Sequence, residues 1–382
     1  MQDYSLRDYI EDYWDIALGV LAALIAFYLH KLHLSYLATF VSALSIIALS
    51  VTVSEVAEIL AERLGEPYGS FVLTFSAVAV EIILLFMILT SGGEGASQQT
   101  LDTVKSGIIS AVIVDMNVLL GLAVFVGGLA FAEQEHNEDT SSTYTTILFI
   151  SSIALLVPSL LIYSPGGEQN LFKASVIISI LLFLYYLIIY VFQTKTHSHF
   201  FKSTARSRIL RLKKRKKLGE DEEHDDDYLF EKLPNWANLL VIFGLIFLVG
   251  IMAEIFAHDS NRVFKDLGIT AGLAGLIIAI ISVSPELITA VKAAKNDQIQ
   301  RVINIAMGAS TVSILITVPV LMALAYLNGI KFTLDFNALQ IGALLLTVIL
   351  AWKTTDNGET NYIEGVSHLM FFACFAVIAA LY

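Results

Sequence analysis

The chain is 382 residues long, 56% of them hydrophobic and only 15% charged, a balance outside that of soluble globular proteins. Its formal net charge of -12 excludes the basic surface that nucleic acid requires and points to a cation as ligand. Cys374 is the single cysteine, so a disulfide framework and a thiolate zinc site are excluded as well.

Met1 to Asp15 lacks the charged, then apolar, then small-residue order of a cleavable signal peptide, so the first apolar span is expected to be retained. An apolar run of about 20 residues crosses about 30 Å of hydrocarbon as a helix. Such runs predict spans at 14–30, 35–62, 68–90, 105–131, 143–163 and 169–193, then at 235–256, 266–294, 298–326, 337–352 and 361–381. The polar stretch 194–234 separates the two groups. It carries a basic run, Arg206, Arg208, Arg211, Lys213, Lys214, Arg215, Lys216 and Lys217, followed by an acidic run from Glu220 to Asp227. The expected fold is an all-α integral membrane protein of about 11 helices in a lipid bilayer.

Basic residues collect on the cytoplasmic side of a membrane protein. The basic run therefore fixes the 194–234 loop as cytoplasmic, together with Arg63, Lys292, Lys295, Arg301, Lys353 and the N-terminus. Lys31, Lys105, Arg262, Lys265, Lys331 and the C-terminus fall on the far side of the cell (inner) membrane.

Setting the first span aside leaves five and five, and two similar halves with an odd number of crossings must be inserted in opposite orientation. Val56-Ala-Glu58-Ile-Leu60 in the first helix of one half resembles Met252-Ala-Glu254-Ile-Phe256 in the first helix of the other. The expected division is 1–34, an N-terminal segment with its helix; 35–193, the first repeat; 194–234, the loop; and 235–382, the second repeat.

In the second helix of each half one glutamate interrupts an apolar run: Glu81 in Ser76-Ala-Val-Ala-Val-Glu81, and Glu286 in Ser282-Val-Ser284-Pro285-Glu286. An ionised side chain at the bilayer centre costs at least about 2.5–3.5 kcal/mol, so such carboxylates face a cavity or a partner. Ser282 lies one turn before Glu286, Ser284 is close by, and Pro285 gives no N–H to the carbonyl of Ile281. Carboxylate, hydroxyl and carbonyl oxygens together describe a hard-cation site suited to Ca²⁺. Ser76 stands in the matching run of the first half. Asp115 adds a third intramembrane carboxylate, and Ser310 with Ser313 adds hydroxyls. Glu55 and Glu58 near one membrane face and Glu254 near the other are candidate guards of the pathway mouths, or else solvated helix-end residues.

These residues carry a resemblance. From about Ala43 onward the chain resembles the bacterial calcium/proton antiporters of the cation/proton exchanger branch, within the cation/Ca²⁺ exchanger superfamily. That family has Gly-Asn-x-x-Glu in each half. Here the glutamates stand as Glu81 and Glu286, with Ala77-Val78 and Ser282-Val283 at the Gly-Asn positions. Glu66-Pro-Tyr-Gly69, Gln193-Thr-Lys-Thr-His197, Ser284-Pro-Glu286 and Thr317-Val-Pro-Val320 are similar to a bacterial subgroup also associated with sodium and potassium export. The family also places an acidic segment between its halves, where Glu220 to Asp227 sits, either as a cation sensor or as a solvated linker.

The resemblance implies secondary antiport by alternating access, with cytosolic Ca²⁺ leaving as protons enter through one shared carboxylate site. The alternative is a monovalent Na⁺ or K⁺ for H⁺ antiporter. A cation channel would use the same carboxylates but pass larger currents. No cofactor is expected, no Gly-rich phosphate loop for a nucleotide is present, and no nucleophile or metal motif of an intramembrane enzyme is visible.

Overall fold

The structure, a computed structural model, describes residues 6–64, 68–91, 96–202 and 228–381. The basic run, the acidic run and Glu66-Pro67 lie outside the described residues. Eleven long helices account for most of what is described: α1 (Leu6–Lys31), α2 (Ser35–Leu64), α3 (Tyr68–Thr90), α4 (Gln98–Phe131), α5 (Glu138–Tyr163), α6 (Gly167–Thr196), α7 (Asn235–Asp266), α8 (Ala271–Lys295), α9 (Ile299–Leu327), α10 (Ala338–Thr355) and α11 (Tyr362–Leu381). Ten of them are long and apolar enough to cross a membrane, and α3 adds the apolar stretch Phe75–Thr90. This is the expected all-α membrane fold, one N-terminal helix followed by five and five.

Helical backbone satisfies its own polar groups, the condition for crossing hydrocarbon, and the sequence closes the helix ends in kind. The side chains of Ser97, Asn137 and Thr270 accept from backbone N–H groups in the first turns of α4, α5 and α8. Asn337 and Gln340 form a reciprocal capping box on α10. Gly268, with φ +66°, ends α7 in the left-handed conformation that an L side chain resists.

The chain forms two compact units. One comprises α1, α2, α3 and α7; the other comprises α4–α6 and α8–α11. These units cut across the sequence halves: α3 belongs to the first unit, whereas its counterpart α8 belongs to the second.

In the first unit α2 packs along both α1 and α7. Ala22, Ala23 and Ala26 of α1 are buried, and Ser45 of α2 donates to the carbonyl of Gly19 at 2.8 Å. Arg63 closes one end on the carbonyls of Phe230, Glu231 and Leu233. At the other end α7 continues to Asp266, a full ten residues beyond the predicted 256. The sequence becomes polar there, but Asp259 is held by His30 and Ser35, and Asn261 donates to Ser91, so the polar turns stay helical.

In the second unit α4 and α9 each carry a π-helical turn at mid-span, Asp115–Leu119 and Ser313–Thr317. Each is the third helix of its half. At one end a two-stranded antiparallel ribbon pairs β1 (Glu133–Glu135) with β2 (Glu359–Asn361), Gln134 standing opposite Thr360. Gln134 also donates to the Ala294 carbonyl and to Asp297, and Asn137 donates to the Phe200 carbonyl. At the other end a turn at Asn328-Gly329 leads into segment 330–337, which buries Ile330, Phe332, Leu334 and Phe336 alternately. Its Leu334 and Phe336 N–H groups bond the hydroxyls of Ser175 and Ser159, both at 2.9 Å.

Two predictions follow from these contacts. A Cβ on Gly275 of α8 would lie 2.5 Å from the Gly107 nitrogen of α4, whereas one on Gly244 of α7 meets nothing within 4 Å. Gly275→Val is expected to cost about 1–3 kcal/mol or more through forced separation of the helices, and Gly244→Ala little, as read by thermal unfolding in detergent. The second concerns His136, in the loop before α5. It is 4% exposed, and burial pushes its imidazole from 6.5 down to about 4. The unfolded chain binds this proton more readily, so the contribution is complete above pH 6.5 and is lost as pH falls toward 4. Relative to His136→Gln, the native protein is expected to lose about 2 kcal/mol between pH 7 and pH 5.

Candidate ion-binding site

Within a span, hydroxyl side chains commonly spend their proton on the carbonyl one turn back, which leaves the oxygen as an acceptor. Ser76 donates to Val72 O at 2.8 Å, Ser282 to Ala279 O at 3.0 Å, and Ser284 to Ile280 O. The oxygen of each then presents lone pairs. Helix α8 runs unbroken through Pro285. Because proline has no N–H, the Ile281 carbonyl lacks its helical donor.

Glu81 lies on α3 in the first unit, 8% exposed, among the buried Val78, Val80, Leu84 and Leu85. Glu286 lies on α8 in the second unit, half-buried, with its Oε2 shielded from solvent. Both carboxylates are thus carried mid-span, as the sequence predicts.

In the second unit Asp115 opens the π-helical turn of α4, is 1% exposed, and accepts a 3.3 Å hydrogen bond from Ser310 of α9 at its Oδ2. The structure therefore joins two residues predicted separately. Ser313 opens the π-helical turn of α9 and is also buried. A π turn widens the helix by one residue and leaves its carbonyls with altered partners, a frequent device at functional sites. Helix α8, which carries Glu286, packs against the Asp115–Leu119 turn and against α9.

The sequence reading missed the polar chain behind Asp115. Asn117, in the same π turn and fully buried, donates to Thr347 Oγ1 at 3.0 Å and to Ile113 O at 3.1 Å. Its Oδ1 lies 3.0 Å from His368 Nδ1, and His368 Nε2 lies 2.8 Å from Thr354 Oγ1. This network ties α4 to α10 and α11. A histidine and an asparagine inside apolar runs were its available signals. Lys105, near the start of α4, is buried and bonds Asp335 at 2.7 Å.

Of the three mouth candidates, Glu55 accepts from the Tyr228 hydroxyl at 3.2 Å. Burial, reinforced by the nearby Glu55 and Asp15 carboxylates, pushes the Tyr228 phenol above its ordinary range. Asp15, not predicted, is 1% exposed and accepts from Thr52. Glu58 is half-buried, and Glu254 is exposed past the midpoint of α7.

The sodium/calcium exchanger protein family matches residues 32–195 and 237–381. The chain belongs to this family. Its members are secondary transporters, so the chain is an exchanger and not an enzyme. It is 27% identical over 335 residues to the sodium-potassium/proton antiporter ChaA of Escherichia coli, covering 87% of this chain and 86% of that protein. It is 26% identical over 344 residues to a Ca²⁺/H⁺ antiporter of Aphanothece halophytica, covering 88% of each. Among solved structures, native YfkE shares the fold with a TM-score of 0.76 at 20% identity, over 96% of this chain and 100% of that one.

The polar chain behind Asp115 yields a prediction for this exchanger. His368→Leu leaves the buried Asn117 Oδ1 without its imidazole and is expected to cost about 1–3 kcal/mol. Adding Asn117→Leu should recover part of that loss, a coupling measurable as a double-mutant cycle in thermal unfolding.

Proposed function

We propose that this exchanger is a Ca²⁺/H⁺ antiporter of the cell membrane, exporting cytosolic Ca²⁺ as protons enter. The observation that carries the reading is a mid-span carboxylate on the second helix of each half, Glu81 and Glu286, in a chain of the exchanger family. An ionised carboxylate in a low-dielectric interior demands either a proton or a cation beside it. The two loads exclude each other, and that exclusion is the coupling. Alternating access exposes these carboxylates first to one side and then to the other. Further oxygens come from Ser76 beside Glu81 on α3 and, in the second unit, from Asp115, Ser282, Ser284, Ser310 and Ser313, donors of the type a hard cation takes.

A Ca²⁺ ion carries twice the charge of Na⁺ and so compensates more of the negative charge that ionised carboxylates place in a low-dielectric core. The Aphanothece halophytica relative, named a Ca²⁺/H⁺ antiporter, supports this choice. A monovalent Na⁺ or K⁺ for H⁺ exchange is the second reading, favoured by the E. coli relative and by the two positions where valines replace neutral asparagine oxygens, Val78 and Val283.

The orientation we propose puts the N-terminus and the 194–234 loop in the cytoplasm. Supporting it, the segments around Gln134, Phe200, Asp297 and Thr360 meet at one end of the second unit, the end that carries Lys292, Lys295, Arg301 and Lys353. That is the distribution of basic residues expected on the cytoplasmic side.

In reconstituted vesicles, Glu81→Gln and Glu286→Gln are each expected to abolish Ca²⁺-driven proton flux while the protein remains folded, because the amide keeps the volume but carries neither load. Near-normal flux in either variant refutes the assignment. Proton release by Na⁺ or K⁺ with none by Ca²⁺ replaces the calcium reading with the monovalent one.

A further inference from the structure

At the end of the first unit remote from Arg63, three metal-ligating side chains converge from two helices. His30 occupies the last turn of α1, and His258 and Asp259 lie in the polar continuation of α7. His30 Nδ1 is 2.7 Å from Asp259 Oδ2, and His258 Nδ1 is 3.5 Å from Asp259 Oδ1. The three ligand atoms all lie within 4.8 Å of one another. Ligand atoms around a tetrahedral Zn²⁺, at bond lengths of about 2.0–2.1 Å, stand about 3.3 Å apart. The arrangement needs only small side-chain rotations to close on an ion. Its chemistry differs from that of the oxygen sites above, since two imidazoles and one carboxylate suit zinc and its neighbours rather than calcium.

The supporting contacts fit as well. Ser35 at the start of α2 donates to Asp259 Oδ1 at 3.0 Å and orients the carboxylate, the role of an outer-shell partner in metal sites. Asp259 is 3% exposed, which fixes its rotamer, whereas His258 is exposed and free to swing onto an arriving ion. The two imidazoles already meet edge to face with centroids 5.2 Å apart.

We propose that His30, His258 and Asp259 form a binding site for a borderline divalent transition cation of the Zn²⁺ type, which clamps the end of α1 to α7. Three protein ligands leave the fourth position to water, so the ion is exchangeable. The clamp fastens the N-terminal helix, which stands outside the two repeats, to the first helix of the second repeat. The site is independent of the ion exchanged.

The test is Zn²⁺ binding by the purified full-length protein in detergent, by calorimetry and by metal content after dialysis, with Co²⁺ as a spectroscopic substitute. The native protein is expected to bind one Zn²⁺ per chain at this site and to give a Co²⁺ visible band of tetrahedral type. His258→Ala is expected to weaken that binding by at least about tenfold. The pair His30→Ala and His258→Ala should lose it while retaining Ca²⁺-driven proton flux in vesicles. Zn²⁺ held at the exchange carboxylates persists in both variants, so the difference from native isolates this site. The proposal is overturned if native and doubly substituted protein bind Zn²⁺ with equal stoichiometry and affinity, or if Ca²⁺ displaces the ion at equal concentration. If the double variant elutes as aggregate, His258→Ala and the Co²⁺ band decide: an unchanged affinity or a missing band rejects the site.

Discussion

Everything in this molecule answers to one constraint: inside hydrocarbon no water is present to satisfy a polar group, so the protein must do it. The backbone complies by being helical. Most intramembrane hydroxyls comply locally, as when Ser151, Ser152 and Ser179 donate to carbonyls four residues back on their own helices. Such residues are polar in name but cost little. The residues of interest are those satisfied across helices instead, Asp115 with Ser310 and Asn117 with Thr347 and His368. Holding them requires two or three helices to keep their register, and that rigidity is what an ion site needs.

The same constraint explains where irregular backbone is allowed. The π turns of α4 and α9 are buried, and so are the alternate residues Ile330, Phe332, Leu334 and Phe336 of the non-helical segment 330–337. Irregular chain buried inside the protein is likewise satisfied when neighbouring side chains take over its donors, as Ser159 and Ser175 do for Phe336 and Leu334. Outward-facing positions carry Leu, Ile and Phe, including Leu181, Leu184 and Ile188 of α6. These residues need only be apolar toward lipid.

Much of the fold was legible because hydropathy reports directly on the bilayer, and the eleven helices lie within a few residues of the predicted spans apart from the ends of α1, α4 and α7. The end of α7 differs because tertiary partners, such as His30 for Asp259, make its polar turns stable as helix, and α4 starts earlier where Ser97 caps it. The mid-span carboxylates were legible because each stood alone in an apolar run. The Asp115 to Ser310 bond was not, since nothing local couples residues 195 positions apart. The π turns left no mark on composition. By contrast, Ile330 to Phe336 alternates apolar and polar residues and announced an extended segment that an apolar-run reading passes over.

The π turn in α4 has a consequence for how the helix divides its labour. Gly107, before it, meets Gly275 of α8, while Gly121, after it, meets His368 and Gly365 of α11. One extra residue in the winding rotates everything downstream by about 100° relative to an uninterrupted helix. The turn thus acts as a phase shifter, letting a single continuous span present close-contact glycines to two different neighbours. Excising one residue from Asp115–Leu119 would leave the apolar length almost unchanged, yet swing Gly121 off α11 and put a bulkier side chain at the contact.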